Sequence, residues 1–408
     1  MSGANPVQKN LPVADAAVRN IIIFIAVLSI PLAAAEALEL SAAETSTWIL
    51  AIYGLPGLLS LVLAVRYRQP LLLTGNLFFI IFIRGLGGQL SFPELMGASI
   101  LAGAGVLLVG LSGLTERLAS WIPLPIMFGL LAGAVMPFLT RFFTLLGEAP
   151  AVVGATLLAY LLSRAVLGRR VPAILPALVT GAAVTALTGQ FGQVEEPLSL
   201  ALPQLTLPAF SLPAILTATP VFVVLITLQA NLPSLRFLHS QEYDPPETAI
   251  DMVSGIGTML GSFLGPTGVS LSLPATSLVA GPGAGDREIR HRTVYLVAGA
   301  ALLVGLLAGV AAGLLEIIPA SLLATLAGLA LVDVLANAVK QVTAGPLLLG
   351  PLFAFAIALS EIEFLGFGNY FWSLVIGTAI SLLLEREGLR AYRSERAASP
   401  EEPSERAE

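Results

Sequence analysis

Apolar runs follow one another along nearly the whole chain, and nothing else in the sequence narrows its folds so far. A helix that crosses a bilayer needs ~20 mostly apolar residues, because every backbone N–H and C=O must be satisfied within the segment. About fourteen such segments can be read, at 17–38, 45–65, 69–83, 93–113, 119–140, 150–167, 172–189, 212–235, 247–263, 266–281, 291–314, 319–340, 345–360 and 366–384. The third and tenth are short and broken. Of 408 residues, 56% are hydrophobic and 11% charged, against about 25% charged in soluble domains. The expectation is an all-α integral membrane protein.

Charge placement gives the orientation. With the N-terminus inside, every one of the 20 basic residues except Arg84 and Arg141 falls in a gap or terminus on that side, as the positive-inside rule requires. Both termini are therefore expected in the cytoplasm. Much of the net charge of −6 lies in the tail "ERAASPEEPSERAE", and 385–408 is expected to lack fixed structure. The polar leader 1–16 shows no signal-peptide pattern, so the first apolar run is expected to be retained. With no cysteine, disulfides, thiolate metal ligands and thiol nucleophiles are excluded. No cofactor, metal or nucleic-acid partner is expected.

The chain also repeats itself. "LLVGL" at 107–111 returns at 302–306, an offset of 195. "IPLPIMFGLLAG" at 122–133 is echoed by "IPASLLATLAG" at 318–328, and "TGN" at 74–76 by "TGV" at 267–269, offsets of 196 and 193. Such an offset covers seven segments, an odd number, so the two halves must lie inverted in the membrane. Inverted halves with a broken segment at matching positions point to the binding site of a secondary transporter.

The broken segments read "RQPLLLTGNLFFIIFIRG" (68–85) and "LGPTGVSLSLPATSLVAG" (264–281). In each, a proline precedes a Thr-Gly pair and apolar residues follow. This predicts an extended stretch to mid-membrane, then a half-helix starting near Thr74 or Thr267. Half-helices arriving from opposite sides point their N-termini at each other, and each offers free N–H groups and roughly +0.5 charge to an anion. Gly75 and Gly268 let a ligand approach the backbone. Thr74, Asn76, Thr267 and Ser270 add polar side chains around Val269. The alternative is that glycine and proline only kink packed helices, which is common in membranes.

Gln229 and Asn231 are amides deep in the apolar run "TPVFVVLITLQANLPSLRFL". Two residues apart, they diverge by about 200° on a regular helix, a geometry that Pro233 disturbs. They read either as ligand contacts or as interhelical glue. A proton-coupled carrier needs a titrating group in the membrane. Asp333, ~21 Å along its helix from Pro319, is the proton-coupling candidate. Glu36 and Asp251 lie near segment ends and are expected to reach water, and His239 and His291 to be solvated.

Four stretches, in their order and spacing, resemble the BenE family of benzoate/proton symporters: "IPLPIMFGLLAGAVMPF" (122–138), "LQANLPSLRFLHSQEYDPP" (228–246), "GSFLGPTGVSLSLPATSLVAGPGAGDREIRHR" (261–292) and "FLGFGNYFWSLVIG" (364–377). The resemblance covers nearly the whole membrane region. It implies the seven-plus-seven inverted-repeat fold shared with nucleobase permeases and sulfate-permease-like anion carriers. It further implies a substrate-bearing core (17–113 and 191–314) and a gate (114–190 and 315–384). Homodimers through the gate, elevator-like motion and a bacterial inner-membrane location follow from the same likeness. Nucleobase permeases carry glutamates where Gln229 and the Thr267–Ser270 stretch stand here, which argues against uracil or xanthine.

The expected function is secondary active transport of a small organic anion, a carboxylate such as benzoate, with proton symport. The alternatives are an inorganic oxyanion such as sulfate or bicarbonate, with sodium coupling, or an anion channel. An enzyme is not expected, because no metal cluster, nucleophile–base pair or phosphate loop is legible.

Overall fold

A computed structural model describes residues 6–166, 172–192, 203–360 and 362–398. Its helices, in chain order, are α1 (Asn10–Ala37), α2 (Ala42–Tyr67), α3 (Leu77–Leu86), α4 (Phe92–Ser112), α5 (Leu124–Glu148), α6 (Pro150–Val166), α7 (Ile174–Leu187), α8 (Leu212–Ser240), α9 (Glu247–Gly261), α10 (Leu273–Ala280), α11 (Arg287–Leu306), α12 (Ala320–Thr343), α13 (Leu349–Leu359) and α14 (Asn369–Leu384). Among the described residues, α1, α2, α4, α5, α8, α11 and α12 are long and apolar enough to cross a membrane. The protein is an integral, mostly helical membrane protein.

Local chemistry sets the helix ends. Ser41 with Glu44 opens α2, and Ser91 with Glu94 opens α4, each as a reciprocal capping box that satisfies two orphan N–H groups. The left-handed Gly113 (φ 65°) closes α4. The eleventh segment, expected to run unbroken to 314, ends at Leu306, and a separate helix Ala308–Ile317 follows.

Two expectations are corrected. The fold is not purely helical: Leu73–Gly75 (β1) and Val269–Leu271 (β2) are strands, paired antiparallel with Leu73 opposite Leu271, Thr74 opposite Ser270 and Gly75 opposite Val269. The tail also departs from expectation, because Arg386–Ala398 forms a helix. Leu389 of that helix is buried, and the Tyr392 hydroxyl accepts the Leu124 N–H at 3.2 Å. At its start, the Glu385 carboxylate accepts the N–H groups of Leu348, Leu349 and Gly350 at 2.6, 2.7 and 3.0 Å and the Ser381 hydroxyl at 2.8 Å. Burial alone would raise the Glu385 pKa, but these four donors hold it below the usual glutamate range.

Helix packing falls into two sets. In one, α2 packs on α11, α1 on α11, and α4 on α9. The α4–α9 contact is close because a Cβ on Gly103 would sit 2.6 Å from the Gly255 carbonyl, and one on Gly255 would sit 2.7 Å from that of Gly103. In the other set, α5 packs on α12 and α13, α13 on α14, and α6 on α7. The α1–α12 and α3–α5 contacts join the sets.

Candidate functional site

The strand pair organises the site. Its ladder continues through the Asn76 N–H, which donates to the Gly268 carbonyl at 2.7 Å. Under the 193-residue offset, the Gly75–Val269 pair maps onto Gly268–Asn76, so the ladder has the two-fold symmetry of the repeat. Backbone groups pointing off the ladder find side chains from neighbouring helices. The Leu73 N–H donates to Ser60 Oγ of α2 (2.8 Å), the Val269 N–H to Thr258 Oγ1 of α9 (2.9 Å), and the Leu271 N–H to Asn231 Oδ1 of α8 (2.9 Å). These bonds meet the requirement that buried backbone be paired. Ahead of β2, Gly265 takes a φ of 147°, where a Cβ would strike the Trp48 ring at 2.6 Å. Trp48 Nε1 in turn donates to the Pro266 carbonyl at 2.7 Å.

Each strand leads straight into a short helix. The helices start at Leu77 and Leu273, because Thr74, Gly75 and Gly268 are used in the ladder and Val269–Leu271 continue as strand. Asn76 is the N-cap of α3: its Oδ1 accepts the Phe79 N–H at 3.1 Å. The same side chain donates from Nδ2 to Ser270 Oγ (3.2 Å) and to the Leu225 carbonyl (3.3 Å). At the start of α10, the Thr276 N–H goes to the Ser272 carbonyl at 2.7 Å. Helix geometry leaves the N–H groups of Leu77 and Phe78 in α3, and of Leu273 in α10, over for an outside acceptor. Phe79 and Phe222, both fully buried, stack with centroids 3.8 Å apart beside this point.

The structure redistributes the expected roles. Gly75 and Gly268 are each packed tightly against protein neighbours. A Cβ on Gly75 would meet the Ile52 carbonyl oxygen at 2.5 Å, and one on Gly268 would meet the Phe79 ring at 2.5 Å. Asn231 is fully buried and fully engaged. Besides accepting from Leu271, it donates from Nδ2 to Asp251 Oδ1 (2.9 Å) and Ser254 Oγ (3.1 Å). Gln229 sits half-buried on the same stretch of α8, with its Oε1 unpartnered among the described residues. That stretch, Leu225–Asn231, is a π-helix packed against β2, a form common at functional sites. Thr267 (1% exposed) also keeps an unpartnered Oγ1, while Ser270 and Val269 are fully buried. Thr74, Gly75, Leu77, Phe78, Gln229 and Ser272 are half-buried.

Two acids exchange places. Asp333, placed deep in a span by its spacing, opens a new turn after a break at Leu331. Its side chain is 72% exposed and pairs with Arg164 at 2.7 Å, with no bond to the strand pair. Asp251, expected to reach water from a span end, is instead 4% exposed. It accepts from Asn231 and, at 3.3 Å, from Thr115 Oγ1, so one amide links it to β2. Sequence position hid this link, because only the fold brings residues 231, 251 and 271 together. His239 is exposed and pairs with Glu247 at 2.8 Å.

Short helices that start from a shared strand ladder, inside a membrane-spanning helical body with two symmetric halves, define a membrane transport protein. The chain belongs to the benzoate membrane transport protein (BenE) family, whose model matches residues 11–383. It is 28% identical over 354 residues to the benzoate membrane transport protein of Acinetobacter baylyi (strain ATCC 33305 / BD413 / ADP1), covering 86% of this chain and 89% of that one. It is 27% identical over 346 residues to the inner membrane protein YdcO of Escherichia coli (strain K12), covering 84% and 88%. Among solved structures it resembles the transmembrane domain of the cyanobacterial bicarbonate transporter BicA, with TM-score 0.53, 16% identity, and coverage of 93% of this chain and 97% of that one. It also resembles the murine anion transporter Slc26a9 in its inward-facing state, with TM-score 0.61, 14% identity, and coverage of 95% and 73%. At such identities these two show the fold alone, a seven-plus-seven arrangement.

Proposed function

We propose that the protein is a secondary active transporter of a small organic anion, a carboxylate such as benzoate, bound between the starts of α3 and α10. The observation behind this reading is a pair of short helices that begin at the two ends of one strand ladder, with N–H groups to spare, and the stacked Phe79 and Phe222 beside the start of α3. The N-termini suit a carboxylate, and the aromatic wall suits an apolar ring beside it. Thr74 and Gln229 complete the polar edge, with Thr267 behind them. The family and the Acinetobacter baylyi relative, both named for benzoate transport, support the same substrate class.

The same proposal includes fourteen membrane segments, with strand-plus-half-helix units as the third and tenth, cytoplasmic termini and a bacterial inner membrane. The packing set of α1–α4 and α8–α11 is assigned as the moving core, and that of α5–α7 and α12–α14 as the gate and homodimer contact. Proton symport is proposed, with the coupling proton at Asp251 rather than Asp333. Asp251 is buried, bonded to Asn231 and Thr115, and has Glu247 one turn before it on α9 as its charged neighbour. The test is uptake of radiolabelled benzoate, sulfate, bicarbonate and uracil into proteoliposomes with imposed pH or sodium gradients. Saturable, pH-driven benzoate uptake that becomes uncoupled in Asp251→Asn is the expected result. Preference for an inorganic anion, or ohmic conductance, would overturn it.

A further inference from the structure

Away from the strand pair, α1, α3, α5 and α12 line an open cavity of about 170 Å³, well above the ~10–15 Å³ that admits one water. Glu36, Arg84 and Arg141 supply charge to its lining, and Phe138, Leu145 and Ala324 are among its apolar walls. Arg84 sits 4.4 Å from the centroid of the Phe138 ring, and its Nε is buried with no hydrogen-bond partner among the described residues. Glu36 lies close enough to feel both arginines but forms no ion pair with either among the described residues. The cavity therefore holds two cations against one anion.

A partly buried guanidinium without a partner is costly. Arginine near a helix C-terminus often serves the helix dipole, yet Arg84 donates to no carbonyl among the described residues. Its planar fork matches a carboxylate in bidentate fashion, and it tolerates an aromatic face on its other side. Arg84 also stands on α3, seven residues beyond Leu77, which is ~10.5 Å at 1.5 Å per residue. One short helix thus presents spare N–H groups at its start and an unpaired guanidinium near its end.

We propose that this cavity is an outer vestibule site for the carboxylate of a small apolar monoanion, taken up by Arg84 before the substrate reaches the strand pair. Phe138, Leu145 and Ala324 receive the apolar body, and the exposed Arg141 draws the anion to the rim. The proposal rests on the anion-transport reading. It places the vestibule on the face where α3 ends, which the basic-residue asymmetry makes the outside. The apolar walls disfavour a strongly hydrated inorganic oxyanion, so the vestibule also selects among anions.

The test uses the full chain in oriented proteoliposomes with radiolabelled benzoate, measuring KM separately from each face. Arg141→Gln is expected to raise the outer-face KM roughly threefold and to flatten its ionic-strength dependence, since steering by exposed charge is screened by salt. Arg84→Gln is expected to raise it on the order of tenfold, and Arg84→Lys less, because lysine keeps the charge and loses the fork. The inner-face KM and the exchange rate at saturation stay unchanged in all three. An unchanged outer KM in a transporting protein, or equal shifts on both faces, overturns the vestibule. Should Arg84→Gln fail to fold, Arg141→Gln at the exposed rim decides alone. Wild-type vesicles that take up no anion would instead overturn the transport reading, a separate result.

Discussion

Asn231→Ala separates a ligand contact from a structural bridge. The side chain is fully buried and makes three hydrogen bonds, to the Leu271 N–H, Asp251 and Ser254. Removing it orphans the Leu271 N–H, at about 1–3 kcal/mol for a buried donor, and takes one donor from the Asp251 carboxylate, at about 1.5–3 kcal/mol. Hydrogen bonds inside membrane proteins average less, ~0.6 and at most ~1.7 kcal/mol each. Between these scales the expected loss is about 2–4 kcal/mol, read as the midpoint shift of equilibrium unfolding in mixed SDS micelles. A double-mutant cycle with Asp251→Ala should give a coupling on the order of 1–2 kcal/mol, since the two are in direct contact. If Asn231→Ala keeps full stability and instead weakens benzoate binding, Asn231 touches substrate and the bridge is not its role.

Gly268→Ala should displace Phe79, whose ring leaves no room for a Cβ, and so disturb its stack on Phe222. The expected effect is destabilisation of about 1–3 kcal/mol from overpacking, measured by thermal unfolding in detergent. Arg164→Gln with Asp333→Asn should show a coupling of no more than about 1 kcal/mol, as for other exposed pairs, and Asp333→Asn should retain gradient-driven accumulation. Glu385 has its pKa lowered in the folded protein. Its capping bonds therefore contribute fully above the unfolded value of about 4.3 and are lost as pH falls through the folded one. Glu385→Gln should lower the melting temperature at neutral pH and narrow the gap to wild type under acid.

Much of the architecture is legible because membrane helices announce themselves by apolar length. The Thr-Gly breaks likewise point to the place where the halves meet. What cannot be read locally is partner choice. The half-helices start later than the sequence implies because ladder pairing between residues 194 to 198 positions apart claims Thr74 and Gly75 as strand. The close approach of Ile52 to Gly75 and of Phe79 to Gly268 is likewise invisible in the sequence. Asp251 and Asp333 exchange burial for the same reason: helix depth follows from spacing, whereas exposure depends on which neighbours pack alongside. The tail helix escaped notice because its polar composition gives little apolar signal, and Leu389 alone anchors its first turn inward.

The strand ladder also sets a schedule for biogenesis. Asn76 donates to Ser270 across 194 residues of chain, so β1, which the proposed third segment would carry into the bilayer, is made long before its partner exists. At about 5–20 residues per second of synthesis, that interval is roughly 10–40 s. Through it, the first half must hold an unpaired stretch of extended backbone where lipid offers no hydrogen bonds. The insertion machinery, or Ser60 and its own water, must shelter Leu73 to Asn76 until translation passes residue 271. A nascent chain arrested before that point should be open to membrane proteases, and one arrested well after it should resist them.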